Sequence, residues 1–156
     1  MALEIHNMAG HLIRRLNQIS MSVFQERMKA QGQTMTSVQF AAMNAVHANP
    51  GIDQARLAGI IAYDRATIGG VIDRLESKGL MVRKVCEHDR RARLVHLTPD
   101  GEALLDALIP VVRGFQDDIL SGLSDEERGE FLRLAAKAAD GGNHLSRAPL
   151  ILGKKP

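Results

Sequence analysis

DRATIGGVIDRLESKGLMVRKVCEHDRRARLVHLT, residues 64–98, decides how the rest of the chain is organised. Ile68, Val71, Ile72 and Leu75 recur at i, i+3, i+4 and i+7, so one apolar helical face is expected over 65–78. Ala66, Gly70, Asp73 and Ser77 lie opposite, with Gly69 beside them, which leaves the outer face nearly bare of bulk. Gly79 is placed to end the helix in a left-handed conformation. Two runs rich in Val and Leu follow, Leu80–Cys86 and Arg93–Leu97, separated by Glu-His-Asp-Arg-Arg-Ala. They read as a two-stranded hairpin whose tip carries Arg90 and Arg91, with Arg93 close behind. A tip this charged packs poorly and meets phosphate well.

In order and at this spacing, three segments of the chain resemble the winged helix-turn-helix of the MarR family of bacterial transcriptional regulators. They are Leu75-Glu76-Ser77-Lys78-Gly79-Leu80, then Asp89-Arg90-Arg91, then Leu97-Thr98-Pro99-Asp100-Gly101. The resemblance implies a mainly α fold with one β-hairpin, long N- and C-terminal dimerisation helices, and a double-stranded DNA operator as partner. Residues 1–156 then form a single domain: dimerisation helices in 1–32 and 99–140, the winged helix-turn-helix in 36–98, and a tail in 144–156.

The rest of the chain agrees with that outline. Its 156 residues suit one small domain, and with no Trp, one Tyr and four Phe the core must be aliphatic. A net charge of +2 does not suggest nucleic acid, but its distribution does. Seven Lys/Arg stand against three acids between Arg74 and Arg93, and six acids against one Arg in 117–130. The amino-terminal stretch has no leader pattern and no run approaches a membrane span, so a cytoplasmic protein with no membrane partner is expected. A single cysteine fits a reducing compartment.

Residues 3–31 read as one long helix, with Ile5, Ala9, Leu12, Leu16, Ile19 and Val23 forming a stripe suited to a second helix and thus to a homodimer. An intrachain core helix would account for part of the same stripe. A capping box at Thr36 and Gln39 opens a helix to about Ala48, and Asn49-Pro50-Gly51 stops it. Asp53 caps a helix over 54–61, and Ala62-Tyr63-Asp64 turns into the recognition helix. Thr98 and Pro99 open a helix to about Ser121 that bends at Pro110. Ser124-Asp125-Glu126-Glu127 opens another, to about Ala139. The tail from His144 has two readings, a disordered end or a strap on the dimer.

For DNA, Arg65 and Thr67 are placed in the first turn of the recognition helix, where guanine edges and the thymine methyl group are within reach. Gly69 and Gly70 permit either close approach to the groove or tight packing on a neighbouring element. By the family pattern Arg91 enters the minor groove with Asp89 holding the loop, while Arg74, Lys84, Arg90 and Arg93 contact phosphate or are solvated charges.

The family resemblance also implies a small aromatic acid effector. It would lie in a cleft bounded by His11, Arg15, Gln39, Met43 and Phe115, with Val111 and Val112 nearby. Leu12-Ile13-Arg14-Arg15-Leu16 is similar to members that regulate aromatic-acid breakdown. Arg15 would pair with the carboxylate, or Arg14 and Arg15 would form inter-subunit salt bridges. Two other readings are a ligand-independent regulator and a redox-responsive one acting through Cys86. No cofactor or metal is expected: the six His form no i, i+4 pair, and His6 and His11 are five apart. No nucleophile–base pair or phosphate-binding glycine loop points to an enzyme.

Overall fold

The computed structural model describes Met1 and residues 3–153. Its helices are α1 (Ala9–Ala30), α2 (Ser37–Ala48), α3 (Gln54–Ile60), α4 (Ile68–Ser77), α5 (Pro99–Gly114), α6 (Gln116–Ile119) and α7 (Asp125–Gly141). Three strands, β1 (Ile52–Asp53), β2 (Met81–Val85) and β3 (Arg93–Leu97), form an antiparallel sheet in the order β1-β3-β2. The mainly α winged helix-turn-helix architecture is the one expected.

Several boundaries follow from caps legible in the sequence. Thr36 accepts from the Gln39 N–H while the Gln39 side chain accepts from the Thr36 N–H, each at 3.1 Å. Asp53, Thr98 and Ser124 likewise accept from Arg56, Gly101 and Glu127. Each satisfies a donor that the first turn of a helix leaves unpaired.

Other expectations need correction. The helix expected over 3–31 is interrupted: Glu4–Asn7 form a 3-10 turn, and Met8 is extended before α1 begins. The local residues, Asn7 and Gly10, are poor helix formers. The helix expected to run to about Ser121 ends instead at Gly114, before Phe115, whose ring is buried edge-on against Phe24 with centroids 5.8 Å apart. β1 was not anticipated: two residues carry no readable period, and the strand exists through its pairing of Ile52 with Val95. Val95 also faces Arg83 in the hairpin, so β3 is the central strand.

One core unites these elements. Met28, Met43, Val46, Leu57, Ile68, Ile72, Leu75, Val95 and Leu105 are each at most 1% exposed, joining the C-terminal half of α1 to α2, α3, α4, β3 and α5. The N-terminal half of α1 is different: Leu12, Ile13 and Ile19 remain 40–66% exposed, as does Met8 just before the helix. Leu132 and Leu134 on α7 are exposed as well, and α7 buries no residue in its own chain. The stripe on α1 is therefore divided between an intrachain core and an uncovered apolar face. No helix of the described residues is long and apolar enough to cross a membrane.

Candidate nucleic-acid interface

Arg65 and Thr67 stand in a turn ahead of α4, not in its first turn. Asp64 builds that turn: its Oδ1 accepts the Ala66 N–H at 2.7 Å, and its carbonyl accepts the N–H groups of Thr67 and Ile68 at 3.1 and 3.0 Å. The Thr67 hydroxyl donates to the same carbonyl at 3.2 Å, so it caps nothing. A carboxylate that bonds its own chain two residues on favours such a turn over helix. Arg65 is left exposed at the mouth of the recognition helix.

The two glycines differ in what surrounds them. A Cβ on Gly69 would sit 3.3 Å from Gln54 Nε2, so Gly69 is small because α3 lies against it. A Cβ on Gly70 would meet nothing within 4 Å. Gly70 and Arg74 share the open side of α4, opposite the buried Ile68, Val71, Ile72 and Leu75.

In the wing, Asp89 Oδ1 accepts the Arg91 backbone N–H at 2.9 Å, and the Asp89 carbonyl accepts the Ala92 N–H at 3.0 Å. The loop is thereby held while the Arg91 guanidinium projects. Arg93 donates to the Arg90 carbonyl at 2.8 Å and so braces the tip. Arg65, Ile68, Asp89, Arg91 and Arg93 line one open cleft of about 640 Å³ between the start of α4 and the wing. It brings together the cations of the recognition segment and the wing.

In the sequence, Arg83 is one of the seven Lys/Arg between Arg74 and Arg93. From β2 it donates to Asp73 Oδ1 at 2.6 Å, to Glu76, to the Gly69 carbonyl at 3.0 Å and to Gln54 at 3.3 Å. Burial opposes its charge, but the hydrogen bonds and charges of Asp73 and Glu76 outweigh that and raise its pKa above the ordinary value. It fixes the wing, the recognition helix and α3 in one arrangement. The only signal in sequence is an Arg on the strand ten residues after Asp73, which a surface charge would share.

The expected effector residues do not converge. Gln39 is spent on its capping box, and Met43 and Phe115 are core, so these three have no open face for a ligand in this chain. Packing against α1 and α5 buried them. His11 is half-buried and Arg15 exposed on α1, where Arg15 lines a shallow concavity with Gln18, Ile19, Ser22 and Val23. Arg14 donates to Gln18 at 3.2 Å. A separate apolar cleft of about 410 Å³ opens between α1 and the start of α2, with Met21, Phe24, Met35 and Lys29 among its walls. Cys86 is half-buried at the end of the wing strand.

Comparison with known proteins follows the same outline. The model of the MarR family matches residues 35–92, which contain α2 through the wing tip. The transcriptional repressor NicR of Pseudomonas putida is 34% identical over 88% of this chain and 85% of its own. The structure of BpsR from Bordetella bronchiseptica, whose DNA binding is regulated by 6-hydroxynicotinic acid, superposes with a TM-score of 0.80. It is 30% identical and covers 90% of this chain and 99% of its own. The repressor CouR, solved on a 23-mer DNA duplex, superposes at 0.78 with 28% identity over 89% of this chain and 99% of its own. With a relative this similar over most of both lengths, and with the helix-turn-helix and wing in the same order, the chain belongs to the MarR family.

Proposed function

We propose that this protein is a cytoplasmic, homodimeric transcriptional repressor that binds a pseudo-palindromic DNA operator and is released by a small aromatic carboxylate. The observation that carries the reading is the shared cleft of Arg65 and Arg91, one cation at the recognition helix and one on the wing. Arg65 is in reach of base edges in the major groove, and Arg91 of the adjacent minor groove. Arg74, Lys84 and Arg90 set the register through phosphates. A second copy covers the apolar face of α1 and places two reading heads about one DNA turn apart. The DNA-bound CouR and the repressor NicR support this reading.

The effector class is supported by BpsR, whose DNA binding responds to a pyridine carboxylate. In this chain His11 and Arg15 lie on the α1 surface a second copy would cover, and Arg15 is assigned the carboxylate. The effector releases DNA only by binding one dimer arrangement more tightly than the other.

A mobility shift on DNA flanking the protein's own gene, repeated with a panel of aromatic acids, tests both halves. Arg91→Ala is expected to weaken operator binding about tenfold, a loss of about 1.4 kcal/mol, with an unchanged melting temperature. Unchanged affinity would remove the wing from the interface. Arg15→Ala should bind DNA normally and respond to acid poorly. A normal response there, with loss in Lys29→Ala instead, would move the carboxylate to the apolar cleft between α1 and α2.

A further inference from the structure

We infer that residues 143–153 form a strap that belongs to the DNA-reading head and determines how firmly the recognition segment is held. The inference rests on the DNA-binding reading above. Beyond α7 the chain doubles back. The Asn143 side chain donates to the Leu150 carbonyl at 3.0 Å and accepts the Leu150 N–H at 2.7 Å, closing the intervening loop. The Ile151 N–H then donates to the Gly59 carbonyl at 2.9 Å. That carbonyl, in the last turn of α3, also accepts the Ala62 N–H at 3.2 Å, so the strap shares the acceptor that closes the helix-turn-helix turn.

Four further observations place the strap on that turn. Gly59 is buried inside a helix, where glycine weakens the element. A Cβ there would come 3.1 Å from Ile151 Cβ, so the missing side chain is the seat of Ile151. Ala62 has φ +52°, a left-handed conformation disfavoured for alanine, and it faces Leu145, Ala148 and Leu150 across one concavity. Arg147 Nε lies 3.5 Å from Asp64 Oδ2, on the residue that organises the turn carrying Arg65. Ile151 and Gly153 finally share a small cleft with Arg56 and Arg65. Lys154 and Lys155 lie outside the described residues.

The strap thus touches the end of α3, the left-handed Ala62 and the Asp64 turn, the parts of the head with few helical hydrogen bonds of their own. Such segments open locally at small cost, and contacts laid across them raise that cost. Operator recognition requires Arg65 in register with a base edge, whereas non-specific binding needs only charge. Loosening the strap therefore acts on specific binding.

The test compares the full chain with one stopped after Gly142, with Ile151→Asp and with Ile151→Val. The truncation and the Asp variant are expected to lose about tenfold in operator affinity, with random-duplex affinity within about twofold. Amide exchange at Ala62 and Tyr63, read without DNA, should accelerate in both, while Ile151→Val behaves as wild type. Gly59→Gln, which evicts Ile151, should lose the same tenfold in the full chain and nothing more in the truncated one. Unchanged operator affinity on truncation, or an equal Gly59→Gln effect in both backgrounds, overturns the strap. A full chain that binds operator and random duplex alike overturns the DNA-binding reading and the strap's role in it. Faster exchange in that case would show that the strap docks all the same.

Discussion

Gly69 and Gly70 are adjacent, equally costly to helix formation, and different in surroundings. Gly69 has Gln54 and, further off, Arg83 against it, whereas Gly70 has open space. Gly70→Ala is therefore expected to stabilise the folded chain by about 0.5–1 kcal/mol, the ordinary propensity gain, seen as a higher urea midpoint. The same variant should bind operator more weakly, because the added methyl occupies the face offered to the groove. A variant that is more stable and binds equally well would take Gly70 out of the interface. Neighbouring residues identical in a propensity table are thus separated only by what stands beyond them. Arg83 makes the same point for charge: its partners come from Gln54, Gly69, Asp73 and Glu76, and no spacing rule lists that set.

At the scale of elements, the wing and α5 are joined at a point that tolerates almost no change. Gly79 ends α4 with φ +71°, and its carbonyl accepts the Thr98 hydroxyl at 2.6 Å. The Thr98 N–H donates to the Leu80 carbonyl at 3.1 Å. Gly101, one turn into α5, sits so close that a Cβ would overlap that carbonyl oxygen and lie 3.0 Å from its carbon. Backbone cannot rotate aside as a side chain does. Gly101→Ala should cost about 3 kcal/mol, at the upper end for overpacking, and lower the melting temperature measurably. Caps at Thr36, Asp53, Thr98 and Ser124 were legible because each is a local exchange between residues three apart. β1 and the break at Phe115 were not, since both depend on partners tens of residues away.

For the whole molecule, the division of α1 is the telling feature. Phe24 and Met28 are buried by the chain itself, while Leu12 and Ile19 are 40% and 43% exposed. Changing both of the latter to Glu should leave the monomer folded, because neither belongs to its core. Sedimentation should then report a monomer in place of a dimer, and operator affinity should fall by about a hundredfold or more as the second half-site is lost. A folded double variant that remains dimeric would move the interface elsewhere, with α7 and its exposed Leu132 and Leu134 as the next surface to test.

What the sequence determined by itself was everything carried by local order: the helix-turn-helix, the hairpin, most caps and the cationic wing. Period, capping residue and turn residue act over a few positions, and the chain states them directly. Tertiary structure alone decided the other half of the site. It made Arg83 the junction of three elements, and sent Met43 and Phe115 into the core instead of a cleft. It also laid residues 143–153 across α3 of the same chain. Each of these depends on which distant surfaces meet once the core closes, and a side chain's role is set by those surfaces rather than by its neighbours in sequence.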